Sequence, residues 1–277
     1  MKVTVFGSNG MAGHVMVRYL RSRGHQVLAL SRDQVDIEFT SMVNSCLQSL
    51  PPMDFVINCV GLLVKASNDR PDRASVINSW WPHKLAHHYR NSHTRVIHLS
   101  TDCVFDGSDG PYSEQAVHSE RNAYGRSKSL GEINNAKDLT MRMSIIGPEL
   151  KSGTGLMDWV RGANSTELPG WDNAWWNGIT TLELARCVDA YMQNPTISGI
   201  YHVVKNNQAI NKYDLLCLIN QVFGLEKSIL RTQGPKSINK VLVDTRREFD
   251  FAIADYRTQL EQLRDFCPIA HVSPASA

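Results

Sequence analysis

The stretch that most constrains this chain lies at its start. An apolar run at residues 3–6 leads into Gly7-Ser8-Asn9-Gly10-Met11-Ala12-Gly13 and then into an amphipathic segment over 14–23. Strand, glycine turn and helix in that order predict a βα unit that binds a nucleotide. The turn lets the backbone approach a pyrophosphate, the last glycine allows close helix packing, and the helix N-terminus offers unpaired N–H donors.

The glycine spacing is G-x-x-G-x-x-G, and the cofactor preference must come from the next strand. Residues 26–30 form that strand and end in Ser31-Arg32. An NAD site typically places an acid there against the ribose 2′-hydroxyl, whereas an arginine accepts a 2′-phosphate. NADPH is therefore the favoured donor, with NADH as the alternative because Asp33 and Asp36 follow closely. Asp36 with Ile37 either reaches the adenine edge or belongs to a plain loop.

Residues 40–50 read as a helix with Thr40 or Ser41 as its N-cap, stopped by Pro51-Pro52. A third buried strand, 55–59, runs into Val60-Gly61, where a small residue admits the cofactor. Residues 62–68 read as a loop and 70–89 as a long helical stretch, in which Pro82 implies a kink or two shorter helices. Residues 96–99 form the fourth strand. This alternation predicts an α/β fold, a Rossmann-type doubly wound parallel sheet whose ligands lie beyond the carboxyl ends of the strands. Gly7, Gly61 and Ser100 all fall at such ends.

Directly after the fourth strand come Ser100-Thr101-Asp102, and further on Tyr124-Gly125-Arg126-Ser127-Lys128. If Tyr124 opens a helix, Lys128 lies one turn on along the same face. A tyrosine has an unperturbed pKa of about 10, and a nearby cation favours the phenolate and makes acid–base transfer easier. Thr101 can bond the same substrate oxygen. An isolated Tyr-x-x-x-Lys is usually a surface pair; here it follows a glycine turn and a Ser-Thr strand end. Residues 103–112 are turn-rich and predicted to fold over the active site. A helix is expected over 123–135 and a fifth strand over 139–145.

At 277 residues the chain suits one large domain or a domain with a smaller appendage. A net charge of +2, from 29 basic and 27 acidic residues, leaves no electrostatic footprint for nucleic acid. No apolar run reaches the length of a membrane span, and the N-terminus enters a strand without the pattern of a signal peptide. The six cysteines form no C-x-x-C and read as small buried hydrophobes in a reducing cytoplasm. His83, His87, His88 and His93 lack the glutamate base and third ligand of a zincin pattern, so no metal is expected.

Beyond residue 150 the alternation breaks. Residues 151–178 are rich in glycine and tryptophan, and Trp171, Trp175 and Trp176 either stack on a base or sugar or pin a long loop. Helices are expected over 181–193, 212–223, where Gly224 terminates it, and 256–266. A strand is expected over 199–204, a polar extended segment over 234–247 and a frayed tail over 267–277. The predicted division assigns 1–150, with 179–205 returning to it, to an NADP-binding Rossmann domain. Residues 151–178 and 206–277 form a small substrate-binding part.

The glycine turn, Ser100-Thr101-Asp102-Cys103-Val104-Phe105-Asp106-Gly107, Tyr124-Gly125-Arg126-Ser127-Lys128 with Gly131-Glu132, and Gly199-Ile200-Tyr201-His202 together resemble the extended short-chain dehydrogenase/reductases. The likeness is to the dTDP-4-dehydrorhamnose reductase group of nucleotide-sugar reductases. That resemblance implies NADPH-dependent reduction of a nucleotide-linked 4-keto-6-deoxy sugar, in the making of a surface polysaccharide or glycan. It implies that Tyr124 protonates the new alkoxide, Thr101 orients the keto oxygen and Lys128 also holds the nicotinamide ribose. Ser8, Asn9 and Met11 would line the pyrophosphate, Cys59, Val60 and Gly61 the adenosine side, and Asp102, Val104, Phe105, Trp171 and Trp176 the sugar. Cys103 departs from the aromatic residue common in the group, and no carboxylate follows Gly13. The partner expected is the nucleotide-sugar, with a homodimer left open. A nucleotide-sugar epimerase or epimerase/reductase and a non-catalytic regulatory subunit of the same fold are the alternatives.

Overall fold

Five short apolar segments, Lys2–Phe6 (β1), Gln26–Leu30 (β2), Phe55–Asn58 (β3), Arg95–Thr101 (β4) and Leu139–Met143 (β5), pair in parallel in the computed structural model, which describes residues 1–150, 155–206 and 208–267. The strand Gly199–His202 adds to the β5 edge, and the spatial order is 199–202, β5, β4, β3, β1, β2. Strands β3 and β5 are buried along their whole length, as central strands covered on both faces must be. Winding reverses between β1 and β3. Phe6 pairs with Leu30 on one side and Asn58 on the other, so three strand ends finish level and open a crevice at the switch point.

Helices cover both faces. Helix Met11–Ser22 (α1) and helix Thr181–Gln193 bury Met16, Leu20, Leu184 and Val188 against one face. Helices Thr40–Ser49 and Trp81–Tyr89 bury Val43, Leu47, Trp81 and Leu85 against the other. The sheet is thus a doubly wound Rossmann-type α/β structure.

Several local expectations change. Helix Thr40–Ser49 is flanked by Phe39 with no side-chain cap, so neither Thr40 nor Ser41 takes that role. Residues 62–68 are not simply a loop, because Val64–Asp69 forms a short helix. The long helical stretch is divided, but by a wide π-type turn over Ser75–Trp80 rather than by a kink at Pro82, which sits harmlessly in the first turn of Trp81–Tyr89. The helix that opens at Ala123 ends at Leu130. Ser100 and Thr101 are the last residues of β4 itself, not of a following loop.

The stretch expected to be a long tryptophan-rich loop contains helix Leu156–Gly162 and two strands. Glu167–Trp171 pairs with Ser228–Thr232, and Ala174–Trp176 lies between Ile210–Asn211 and Ile238–Asn239. Helices Lys212–Phe223 and Tyr256–Phe266 close a further core through Leu215, Ile219, Leu260 and Leu263. Gly224 ends the former at φ +59°, in the left-handed region glycine adopts without strain. Of the expected frayed tail over 267–277, Cys267 is buried in that further core, and the rest lies outside the described residues.

Candidate active site

The glycine turn explains its own composition. Gly7 takes φ +79°, and a Cβ there would lie 2.9 Å from the Cys59 and Val60 backbone; a Cβ on Gly13 would lie 2.1 Å from the Gly7 carbonyl oxygen. β1, β3 and α1 meet so closely that only hydrogen fits. Helix α1 has no side-chain cap and no acid in its first turn, so its orphan N–H groups face an anion site without competition.

Beside the turn opens a cleft of about 260 Å³ lined by Gly7, Asn9 and Gly10, by Ser31, Arg32 and Asp36, and by Cys59, Val60 and Gly61. Nine of the expected cofactor residues therefore share one concave surface, of a shape and chemistry that fit a dinucleotide. Ser8 and Gly13 pack behind the turn rather than lining the cleft. Met11 reaches toward Gly155, its Cε lying 2.7 Å from where a Cβ on that glycine would sit. Ser100 does not face the cleft, because its hydroxyl donates to Glu132 at 2.5 Å.

Two asparagines, not marked by the sequence, hold the cleft in shape. Asn58 Oδ1 accepts from Val60 N at 3.1 Å and Trp81 Nε1 at 3.0 Å, which fixes the exit of β3. Asn78, in the wide turn, accepts from Leu62 N at 2.8 Å and donates to Ser127 Oγ at 3.0 Å. It couples the loop after β3 to helix Ala123–Leu130. A polar residue on the inner face of an otherwise apolar helical run was the available signal.

Tyr124 and Lys128 lie one turn apart on helix Ala123–Leu130, whose Asn122 side chain accepts from Gly125 N at 2.8 Å. They diverge in what they touch. Lys128, buried, donates from Nζ to the Leu99 carbonyl at 2.6 Å. Burial lowers its pKa to about 8, with Glu132 and Cys59 acting in the opposite sense. Tyr124 lies with Cys103, Asp102 and Thr101; burial raises the phenol pKa, Cys103 and Asp102 add to this, and a bond from Thr101 lowers it. Lys128 is not among the groups that shift it. The net direction at Tyr124 is upward, opposite to the expected depression, while the ammonium of Lys128 is bonded to a strand carbonyl. A half-buried phenol with a raised pKa keeps its proton at neutral pH.

Thr101 donates to Asp102 Oδ1 at 3.1 Å and accepts from Cys103 N at 3.1 Å. Asp102 lines a second cleft, of about 270 Å³, with Ser144, Trp175, Trp176, Lys212 and Lys240 among its walls. Burial raises the pKa of Asp102, against the pull of Lys240. For Lys240 burial is outweighed by Cys103, Asp102 and Glu120, which keep it charged. Lys212 packs over the rings of Trp171 and Trp159, 4.7 and 5.3 Å from their centroids, and burial lowers its pKa.

Of the expected sugar residues, Asp102 and Trp176 line this cleft. Val104 and Phe105 do not. Both are core residues, Phe105 stacking on Tyr112 at 4.1 Å, because the turn-rich segment folds its apolar side chains inward. Trp171 stands back from the cleft beneath Lys212. Lys212 and Lys240 were missed because nothing in a polar segment marks which lysine turns inward.

A buried charge network is centred on Arg142 of β5. Arg142, fully buried, donates to Glu132 at 2.8 and 2.6 Å and bonds His202 and His118 at 2.9 Å each. Burial opposes the Glu132 charge, but Arg142 and Ser100 hold its carboxyl below the usual value. Among the described residues no group of three or more metal-ligating side chains occurs, and no helix is long and apolar enough to cross a membrane.

The chain matches the model of the RmlD substrate binding domain over residues 1–148. It is 29% identical over 234 residues to a dTDP-4-keto-6-deoxy-D-glucose reductase of Streptomyces niveus, covering 82% of this chain and 80% of the relative. To the methionine adenosyltransferase 2 subunit beta of Xenopus tropicalis it is 25% identical over 249 residues, covering 83% and 74%. Among solved structures, the dTDP-4-dehydrorhamnose reductase of Bacillus anthracis in complex with NADP superposes with a TM-score of 0.81 at 20% identity, covering 95% of this chain and 98% of that one. With more than half of its length matched by the family model, the chain belongs to the RmlD substrate-binding-domain family.

Proposed function

We propose that the protein is an NADPH-dependent reductase of a nucleotide-linked 4-keto-6-deoxy sugar. The observation that carries this reading is the position of helix Ala123–Leu130. Lys128 faces Cys59 on the wall of the glycine-turn cleft, while Tyr124 lies with Thr101 and Asp102 at the second cleft. One helical turn thus separates the proposed proton donor from the lysine beside the dinucleotide cleft, which supports the reading. The naming of the Streptomyces niveus relative agrees with it.

When bound, NADPH supplies the hydride that reduces the keto carbon. Thr101 orients the keto oxygen, and Tyr124, whose raised pKa keeps it protonated, gives its proton to the oxygen that becomes a hydroxyl. Lys128, on the cofactor side, holds ribose hydroxyls. Gly7, Asn9 and the start of α1 hold the pyrophosphate. In the second cleft Lys240 and Lys212 favour an anionic substrate such as a nucleoside diphosphate sugar, with Trp176 as an apolar wall. Residues 1–150 and 179–205 serve the dinucleotide, and 151–178 with 206–277 the sugar. Six free cysteines suit work in a reducing cytoplasm.

The test is NADPH oxidation, followed by absorbance, on a panel of dTDP-, UDP- and GDP-linked 4-keto-6-deoxyhexoses. Tyr124→Phe is expected to lower turnover by about a hundredfold or more while cofactor affinity is kept. Unchanged turnover in that variant would remove Tyr124 from the mechanism. Silence of the wild type across the panel, with cofactor bound, would favour an epimerase or a non-catalytic subunit.

A further inference from the structure

The rim of the dinucleotide cleft carries a charge cluster that hydride transfer does not need. Arg32 donates from Nε to Asp36 Oδ2 and from Nη2 to Glu38 Oε2, each at 3.0 Å. Glu38 also receives both prongs of Arg73, at 2.6 and 2.5 Å. Asp36 accepts the Glu38 amide at 3.1 Å, so the two acids are tied to one another through the backbone. Arg73 comes from the helical turn Pro71–Ala74, and the same turn supplies the neighbouring Arg70–Asp72 pair.

The sequence alone presents Arg32 as a free guanidinium for a 2′-phosphate. Such a phosphate carries close to two negative charges at neutral pH, and arginine grips it with two parallel N–H groups. Here the Nε–Nη2 edge of Arg32 is already taken by carboxylates. Arg32 and Arg73 are balanced by Asp36 and Glu38, and Arg70 by Asp72, so the rim has no net charge. The Arg32 side chain is 64% exposed, whereas those of Asp36 and Glu38 are only 19% and 22% exposed. A phosphate that approaches Arg32 therefore also meets two acids fixed behind it.

We propose that Glu38 is a specificity-determining residue: as the shared counter-ion of Arg32 and Arg73, it competes with the 2′-phosphate and keeps the preference for NADPH over NADH small. This rests on the dinucleotide-binding part of the proposed function. Asp36, which lines the cleft, accepts the 2′-hydroxyl of NADH and so acts in the same direction.

Binding of adenosine 2′,5′-bisphosphate and of 5′-AMP to the full chain, measured by calorimetry, tests it without any turnover. The wild type is expected to bind the bisphosphate less than about tenfold more tightly than 5′-AMP. Glu38→Gln should tighten the bisphosphate about fivefold to tenfold and leave 5′-AMP unchanged, since one carboxylate charge near the phosphate is removed. The gain should shrink at high salt and vanish in the double variant with Arg32→Met. A wild-type preference above about tenfold overturns the proposal. So does a Glu38→Gln variant that weakens the bisphosphate, which would make Glu38 an aid to the arginines, or one that moves both ligands equally or neither. Failure of both ligands to bind the wild type overturns the dinucleotide reading together with this one. The expected binding pattern in a protein that reduces no keto-sugar leaves the proposal standing and removes the reductase reading alone.

Discussion

The two clefts of this protein have nearly the same volume, about 260 and 270 Å³, yet they are built from different materials. The first is lined by residues 6 to 77, taken from three successive strand ends, and its phosphate end is backbone. The second is lined by residues 102 to 240, gathered from separate segments, and its polar character rests on a few side chains such as Asp102 and Lys240. A cleft of backbone depends on what is absent, a β-carbon. A cleft of side chains depends on what happens to point inward. The first should therefore fail abruptly under substitution, the second by degrees.

The buried charge network around Arg142, which lines neither cleft, should give the largest effect. Replacing Arg142 by Met leaves Glu132 buried with its main partner gone, and loss of one member of such a pair typically costs about 3–5 kcal/mol. Denaturant unfolding should show that loss. A change below about 1 kcal/mol would mean that water or the histidines replace the guanidinium.

Gly13→Val attacks the backbone cleft alone. Its Cβ would sit 2.1 Å from the Gly7 carbonyl oxygen, so α1 must move away from the turn. Dinucleotide affinity should fall by about a hundredfold or more, as expected where a well-packed contact is forced apart by roughly 3 kcal/mol, while the second cleft still binds its ligand. Calorimetry with each ligand would show this; equal losses in both would end the claim that the clefts are independent.

Lys240→Met should raise KM for the nucleotide-sugar about tenfold, the usual scale for one charge-assisted contact, and leave the dissociation constant of NADPH unchanged. A loss confined to kcat would instead place Lys240 among the residues acting on Asp102 and Tyr124.

The smallest effect is that of pH. Burial lowers Lys128 to a pKa of about 8, so its ammonium is lost as the pH rises through that value. NADPH affinity should decline by a few-fold between roughly pH 7 and pH 9 and should be flat in Lys128→Met. The sign for stability is opposite. A lysine whose folded pKa lies below its unfolded one destabilises the fold while charged. The ligand-free protein therefore gains stability from this group as pH rises from about 8 toward the unfolded value, because the unfolded chain then keeps the proton the folded one has shed.

What the sequence determined by itself was the part written in local spacing. Gly7, Gly10 and Gly13 mark a turn because no other residue tolerates such close backbone approach, and apolar strands alternating with helical segments leave few sheets but a doubly wound one. Helices Thr181–Gln193, Lys212–Phe223 and Tyr256–Phe266 could be read to the residue from their periodicity and caps. Tertiary structure decided the rest. It turned Lys128 to the Leu99 carbonyl, and it buried Phe105 on Tyr112 rather than on a substrate. It also clasped Arg32 between two acids and brought Lys212 and Lys240 into one wall. The glycine turn is legible because its glycines recur every three residues in the sequence, even though the contact that excludes a β-carbon at Gly7 is with the end of β3. Burial and charge pairing depend on how side chains are turned and packed, whether the partners lie close in sequence, as Arg32 and Asp36 do, or far apart, as Lys128 and Leu99 do, and they exist only once the chain has folded.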